Sequence, residues 1–204
     1  MEGVFIYWFG WLLWVVITFF WSKSKARFWS AFSLLLFFIL LPKTFVFANT
    51  TVYLVYVLFS VYLFWQLNKA KKCNLIHSYV ASITIAAAYA GFQMMMIFDP
   101  IVVYIDSRWM IGIMTAIISF FLAATFMHRL LFAFSGLIQG ELLTGLVTQH
   151  HLYMDYSIGS LYFFDIVAVV GSLYSVVWGL KQVSAYLGKV VIREPKSGML
   201  KQSS

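Results

Sequence analysis

Charged residues are scarce in this chain of 204 residues. Asp, Glu, Lys and Arg make up 10% of it, whereas 63% of the residues are apolar and 20% are aromatic. A soluble domain needs a polar surface and carries about 25% charged residues on average, so this composition excludes a soluble fold. The few charges cluster between long uncharged stretches, which is typical of hydrophobic spans joined by short loops. The sequence therefore predicts a polytopic integral membrane protein.

Cysteine and catalytic motifs are also scarce. The one cysteine, Cys73, excludes a disulfide within the chain and is expected to be a free thiol in a Lys-rich loop. The sequence lacks the G-x-S-x-G, H-E-x-x-H, P-loop and C-x-x-C motifs, so we expect no enzymatic activity and no cofactor. Adjacent histidines on a helix point about 100° apart, so His150 and His151 form a poor metal site. A single histidine ligand completed by Asp155 or Glu141 is the alternative.

Seven apolar runs are candidates for transmembrane helices. A span must satisfy its own backbone hydrogen bonds, and none of these runs alternates as a barrel strand does. The predicted spans are residues 4–21, 28–47, 51–67, 75–98, 109–127, 130–148 and 158–180. The second is the weakest, because its uninterrupted apolar run, Phe28 to Leu41, would be only about 21 Å long as a helix. This span must either continue through Pro42 and Lys43 to cross the membrane, or turn back as a re-entrant segment. The predicted fold is an all-α, polytopic transmembrane bundle of about seven helices.

Basic residues are segregated to one side of this bundle. The other side receives only Lys43 and Arg108, together with several acids. The positive-inside rule therefore places the N-terminus outside and the C-terminus inside, which requires an odd number of spans. Twelve of the fourteen basic residues fall in the inner loops and tail: Lys23, Lys25, Arg27, Lys69, Lys71, Lys72, Arg129, Lys181, Lys189, Arg193, Lys196 and Lys201.

The charge pattern also divides the chain and indicates its partners. Residues 1–180 are predicted to form a transmembrane helical domain, and residues 181–204 a basic cytoplasmic tail that lies on the inner lipid headgroups. The net charge of +7 is explained by anionic headgroups and topology signals, so the lipid bilayer is the expected partner and nucleic acid is not. Another membrane protein is a further possible partner.

Three polar side chains lie within predicted spans: Gln93, Glu141 and Asp165. An ionisable group in hydrocarbon is costly, so each is a candidate for ion or substrate binding. All three lie roughly 8 to 15 Å from the outer ends of their helices, at similar depths. Helical projection places each on a stripe of small residues, so we predict that they face one interior lined by the fourth, sixth and seventh spans. The stripe of the sixth span comprises Ala133, Gly136, Gly140, Glu141, Thr144, Gly145 and Thr148.

Two functions remain open. The buried polar groups can hydrogen-bond neighbouring helices and fix their packing, which favours a non-enzymatic membrane protein that assembles with or modulates partners. The alternative is a small ion- or proton-coupled transporter that uses Glu141 and Asp165, because the spans contain no Lys or Arg expected to compensate them. Carriers often have paired helix breaks in two repeats. The sequence shows neither such breaks nor repeats, which makes the transporter the less favoured interpretation.

The opening segment supports a family resemblance. Together with the hydropathy pattern of the whole chain, residues 1–11, Met-Glu-Gly-Val-Phe-Ile-Tyr-Trp-Phe-Gly-Trp, resemble the YphA-like family of small membrane proteins from Bacillus-type bacteria. The resemblance implies a multi-pass protein of a bacterial cell membrane. It implies no activity and no catalytic residues.

Overall fold

The computed structural model describes residues 2–47, 50–69 and 75–193 as a helical bundle with a small sheet. The first helix continues as a π-helical segment, Val16–Phe20, and a short 3-10 turn, Pro100–Val102, precedes the fifth. Within the described residues, the all-α class and the seven helices are confirmed. The helices are α1 Val4–Val15, α2 Lys25–Leu40, α3 Leu54–Lys69, α4 Leu75–Phe98, α5 Ser107–Leu122, α6 Phe126–Leu152 and α7 Leu161–Arg193. The strands are β1 Thr44–Phe47, β2 Thr50–Tyr53 and β3 Ser157–Ile158.

Helix length separates the bundle into two groups. Three apolar segments are long enough to cross a membrane, namely Ile76–Phe98, Phe126–Leu152 and Leu161–Gly188. The apolar helices Val4–Phe20 and Ser107–Leu122 are shorter, and α2 and α3 have 16 residues each. A helix of 16 residues is about 24 Å long, somewhat less than the roughly 30 Å of a bilayer core. Of the three long segments, Phe126–Leu152 is the most buried.

The predicted second span is wrong at its C-terminal end. We expected a helix over residues 28–47, but α2 ends at Leu40 and residues 44–47 form strand β1. Pro42 has no N–H to continue the helical ladder, so the helix ends just before it. The aromatic and β-branched residues that follow favour a strand, which pairs antiparallel with β2. The helix expected from residue 51 therefore begins only at Leu54.

The connection between α6 and α7 turns back into the bundle. Strand β3 pairs parallel with β2, with Thr51 opposite Ser157 and Val52 opposite Ile158. It also lies against α6, where a Cβ on Gly145 would stand only 2.8 Å from Cγ1 of Ile158. The pairing with β2 satisfies part of the backbone of this connection.

Close packing of α4 against α6 forms the centre of the bundle. A Cβ on Gly136 would lie 2.5 Å from Cβ of Ile85, and one on Gly140 would lie 2.8 Å from the Tyr89 ring. The small-residue side of α6 is buried, as predicted, while Leu142, Leu143 and Leu146 are exposed on the other side. Ile138 lies outside the small-residue stripe, but it is also buried because α3 packs against it. The Tyr56 hydroxyl donates to its carbonyl at 2.8 Å.

The last helix runs beyond the predicted end of the transmembrane domain. Helix α7 continues through residue 181 to Arg193 without interruption. The hydroxyls of Ser119 in α5 and Tyr174 in α7 are 2.5 Å apart, so α5 ends about level with Val177. Some 24 Å of α7 therefore extends past the end of α5. The end of the predicted basic tail, from residue 194, lies outside the described residues, and so do Lys71, Lys72 and Cys73.

The α4–α6 contact can be tested with an alanine at Gly136. Its Cβ would overlap Ile85, and overpacking costs about 1 to 3 kcal/mol. Alanine also raises helix propensity by about 1 kcal/mol, so the matched control is Gly91→Ala, where the added Cβ meets nothing within 4 Å. Thermal unfolding in detergent, followed by circular dichroism, should show a lower Tm for Gly136→Ala than for Gly91→Ala. Equal Tm values would contradict the close approach.

Candidate functional site

Glu141 is the centre of a buried polar cluster between α4, α6 and the α6–α7 connection. Its side chain is fully buried at 0% exposure. Oε2 accepts hydrogen bonds from the hydroxyls of Tyr89, at 2.6 Å, and Tyr156, at 3.0 Å. Oε1 accepts from the backbone N–H of Gly159 at 3.0 Å. Three donors thus converge on one carboxylate, and every one of these bonds uses Glu141 as an acceptor.

The bond to Gly159 explains how the α6–α7 connection returns into the bundle. Glu141 lies roughly eleven residues, or about 16 Å, before the end of α6, so the chain must run back along that helix to reach its carboxylate. Gly159 has a φ of 74°, in the left-handed region, and a Cβ there would collide with the Tyr56 side chain. Only glycine suits this position, and its N–H would be unsatisfied without Glu141.

Gln93 joins the same cluster through Tyr89. Its Nε2 donates to the Tyr89 hydroxyl oxygen at 3.0 Å, which directs the tyrosine proton toward Glu141. Gln93 is 8% exposed and faces the interior, as predicted. The structure therefore brings Gln93 and Glu141 together across α4 and α6. They are linked by hydrogen bonds through Tyr89 and do not form two groups free to bind an ion.

Asp165 lies in a different cluster, where α1, α5 and α7 begin, so the prediction of one interior shared with Gln93 and Glu141 is wrong for Asp165. It is fully buried at 0% exposure. Its carboxylate accepts the backbone N–H of Gly3 at 2.8 Å and that of Ile6 at 2.9 Å. Gly3 is the N-cap of α1, and no side chain of its own caps the helix. Asp165 thus satisfies two N–H groups at the start of α1, where a negative charge also favours the helix dipole.

Arg108 compensates the charge of Asp165. Its Nη1 lies 2.8 Å from Oδ2 of Asp165, and the arginine side chain is 11% exposed. The expectation of two uncompensated acids is therefore wrong for Asp165. We placed Arg108 in an outer loop, but it belongs to the first turn of α5 and lies between the rings of Phe5 and Tyr162, at 5.5 and 5.6 Å from the centroids.

Comparison with known proteins identifies the family. A family model described as YphA-like integral membrane protein matches residues 2–200. This chain belongs to that family. It is similar to the protein named uncharacterized protein YphA from Bacillus subtilis (strain 168), with 26% identity over 163 residues that cover 73% of this chain and 74% of the relative. No solved structure matches the chain. The resemblance of the opening segment is thereby confirmed, and so is the assignment to integral membrane proteins.

Sequence reasoning missed three partners in this YphA-like protein. Tyr156 was placed in a loop, Gly159 at the start of the predicted seventh span, and Arg108 among the topology signals. A loop residue that returns to a buried acid leaves no periodic pattern. For Arg108 a signal existed, because Asp106, two residues earlier, is a typical N-cap residue and places Arg108 in the first turn of a helix.

The adjacent histidines His150 and His151 are not arranged as ligands of one metal ion. His150 and His151 lie at the end of α6 with ring centroids 5.2 Å apart and planes 79° apart. In the part of the chain that the structure describes, no three His, Cys, Asp or Glu residues are close enough to hold one metal ion.

The role of Glu141 can be tested with Glu141→Gln. The amide has the same shape but one acceptor oxygen in place of two, and its NH₂ group would face a donor. We expect a stability loss of about 1 to 3 kcal/mol and faster hydrogen exchange in residues 156–160, measured by mass spectrometry. The control is Asp155→Asn, which removes an exposed charge from the same connection. Unchanged exchange in Glu141→Gln would contradict a role in holding this segment.

Proposed function

We propose that this protein is a multi-pass protein of the bacterial cell membrane, with its N-terminus outside and its C-terminus inside. The segregated basic residues support the orientation. The contacts of Asp165 add support, because they join the first turns of α1, α5 and α7 at one end of the bundle. Odd-numbered helices that cross the membrane in the same direction must begin on the same side.

Reporter fusions test this orientation. Alkaline phosphatase is active only outside the cytoplasm, and a fusion after Lys196 should be inactive. A fluorescent protein that matures only in the cytoplasm should be dark after Ser157 and bright after Lys69. Phosphatase activity after Lys196, or fluorescence after Ser157, would overturn the proposed topology.

Within that membrane, we propose a non-enzymatic role in assembling with or modulating another membrane protein. The observation that carries this proposal is the state of the two buried acids. Asp165 is paired with Arg108 and caps α1, and Glu141 accepts three hydrogen bonds that hold the α6–α7 connection. Both carboxylates therefore have local structural partners. This favours the packing interpretation over the carrier.

A surface for such a partner exists on the free part of α7. Leu180, Val183 and Leu187 are 64%, 57% and 56% exposed and recur at the spacing of one helix face. We call these three residues the α7 seam. The seam extends past the end of α5 and carries no charge, whereas Lys181 and Gln182 lie on other faces. In a membrane protein, exposed apolar residues in a row face either lipid or another helix, and we propose the second for the seam because it lies beyond the end of α5.

The ion- or proton-coupled carrier remains the alternative proposal. It would use Glu141, whose Oε1 accepts one hydrogen bond and so keeps a lone pair for a proton or a cation. The chain of Gln93, Tyr89 and Glu141 is the feature that would then relay a proton between α4 and α6.

Co-purification in mild detergent tests the assembly role. A tagged wild-type protein, extracted from its own membrane, should retain a stoichiometric membrane partner identified by mass spectrometry. Val183→Glu with Leu187→Glu should abolish that retention, because the two charges would be buried at the contact. The control is Gln182→Glu with Ala185→Glu, which adds the same charge to the other faces of α7. If the wild type retains no partner, or if both pairs behave alike, the seam is not the binding surface.

A further inference from the structure

A long apolar groove lies on the surface between α5 and α7. It has a volume of about 730 Å³ and follows α5 from Trp109 to Phe121, a distance of roughly 18 Å. The hydroxyl of Ser172 within it already donates to the Val169 carbonyl at 2.8 Å. The groove is lined by Phe9 of α1, Trp109, Ala116 and Phe120 of α5, and Leu173 and Val176 of α7.

The length of the groove fits one leaflet of a bilayer. A hydrocarbon core of about 30 Å leaves about 15 Å for the acyl chains of each leaflet. The groove is therefore long enough to hold one extended chain alongside α5. Its apolar lining matches a hydrocarbon ligand and excludes a polar one.

The positively charged side chain of Arg129 lies at one end of this groove. The guanidinium carbon of Arg129 lies 3.9 Å from the centroid of the Phe120 ring, and Phe120 lines the groove. Nε of Arg129 donates to the Ala123 carbonyl at 2.7 Å. These two contacts fix the plane of the guanidinium. Its terminal nitrogens make no hydrogen bond to any residue that the structure describes, so they can bind a phosphate in the two-pronged geometry that arginine favours.

We propose that this groove and Arg129 form a binding site for one anionic phospholipid. An acyl chain lies in the groove between α5 and α7, and the phosphate binds Arg129 in the headgroup region at the α5–α6 turn. An apolar channel with a fixed cation at its end is complementary to a phospholipid, whereas a partner helix would leave the guanidinium without a counter-charge. This inference does not depend on the proposed assembly role, because the α7 seam lies beyond the groove.

Native mass spectrometry tests the site. The protein is reconstituted in vesicles of equal phosphatidylglycerol and phosphatidylcholine and then released into detergent. The wild type should keep one phosphatidylglycerol molecule in preference to phosphatidylcholine. Arg129→Gln should lower its occupancy about tenfold, because a charge-assisted bond is lost. The matched control is Lys69→Gln, since Lys69 also stacks on an aromatic ring, that of Trp65 at 3.4 Å. Control occupancy should equal the wild type.

A second variant separates the site from protein folding. Ile117 lines the groove and is 52% exposed, so Ile117→Trp fills the groove without disturbing the core. It should also expel the lipid, whereas Ile39→Trp, at a 65% exposed position of α2, should not. Excess inorganic phosphate should leave occupancy unchanged, because it lacks the acyl chain. Equal retention of the two lipids, no loss in either groove variant, or a protein chain bound in place of the lipid would each overturn the proposal.

Discussion

The structure depends on one constraint, that a backbone N–H buried in a membrane protein needs an acceptor. Two carboxylates provide acceptors where the helices cannot. Glu141 accepts the N–H of Gly159 in the connection before α7, and Asp165 accepts those of Gly3 and Ile6 at the start of α1. Each acid therefore fixes where a helix begins. Their cost in an apolar environment is offset by the hydrogen bonds that they accept, and for Asp165 also by Arg108.

The packing of the central helices follows from the same constraint. Tyr89 can reach Glu141 only because Gly140, on the adjacent helix, lets its ring approach the α6 backbone. Gly145 does the same for β3, which must approach α6 for Gly159 to meet the carboxylate. The glycines and the acid thus act together. A side chain at either glycine would move a donor away from Glu141, so a change in packing would also be a loss of hydrogen bonding.

Sequence alone predicts the features that recur along one helix, and it fails where distant segments meet. Period and composition predict the seven helices and the buried small-residue side of α6, because both depend on local spacing. The inward orientation of Glu141 and Asp165 follows from the same argument. Their separation into two clusters does not, because it depends on which helix ends are neighbours. The strands near Pro42 were missed because a single proline changes the average hydropathy of a segment too little to mark the end of a helix. The return of Gly159 was missed because it depends on a tertiary contact with Glu141.

The interior and the surface of this protein have different kinds of polar group. Inside, Glu141 and Asp165 are engaged with nearby donors, so little of their hydrogen-bonding capacity is left for a ligand. Arg129 is held by Phe120 and Ala123, yet its terminal nitrogens make no hydrogen bond to the residues that the structure describes. A side chain fixed in place by some of its atoms loses less conformational entropy when the others bind. The buried acids are structural because their hydrogen bonds are nearly all used within the protein. Arg129 is suited to bind a ligand because it is held in place and still has unused donors.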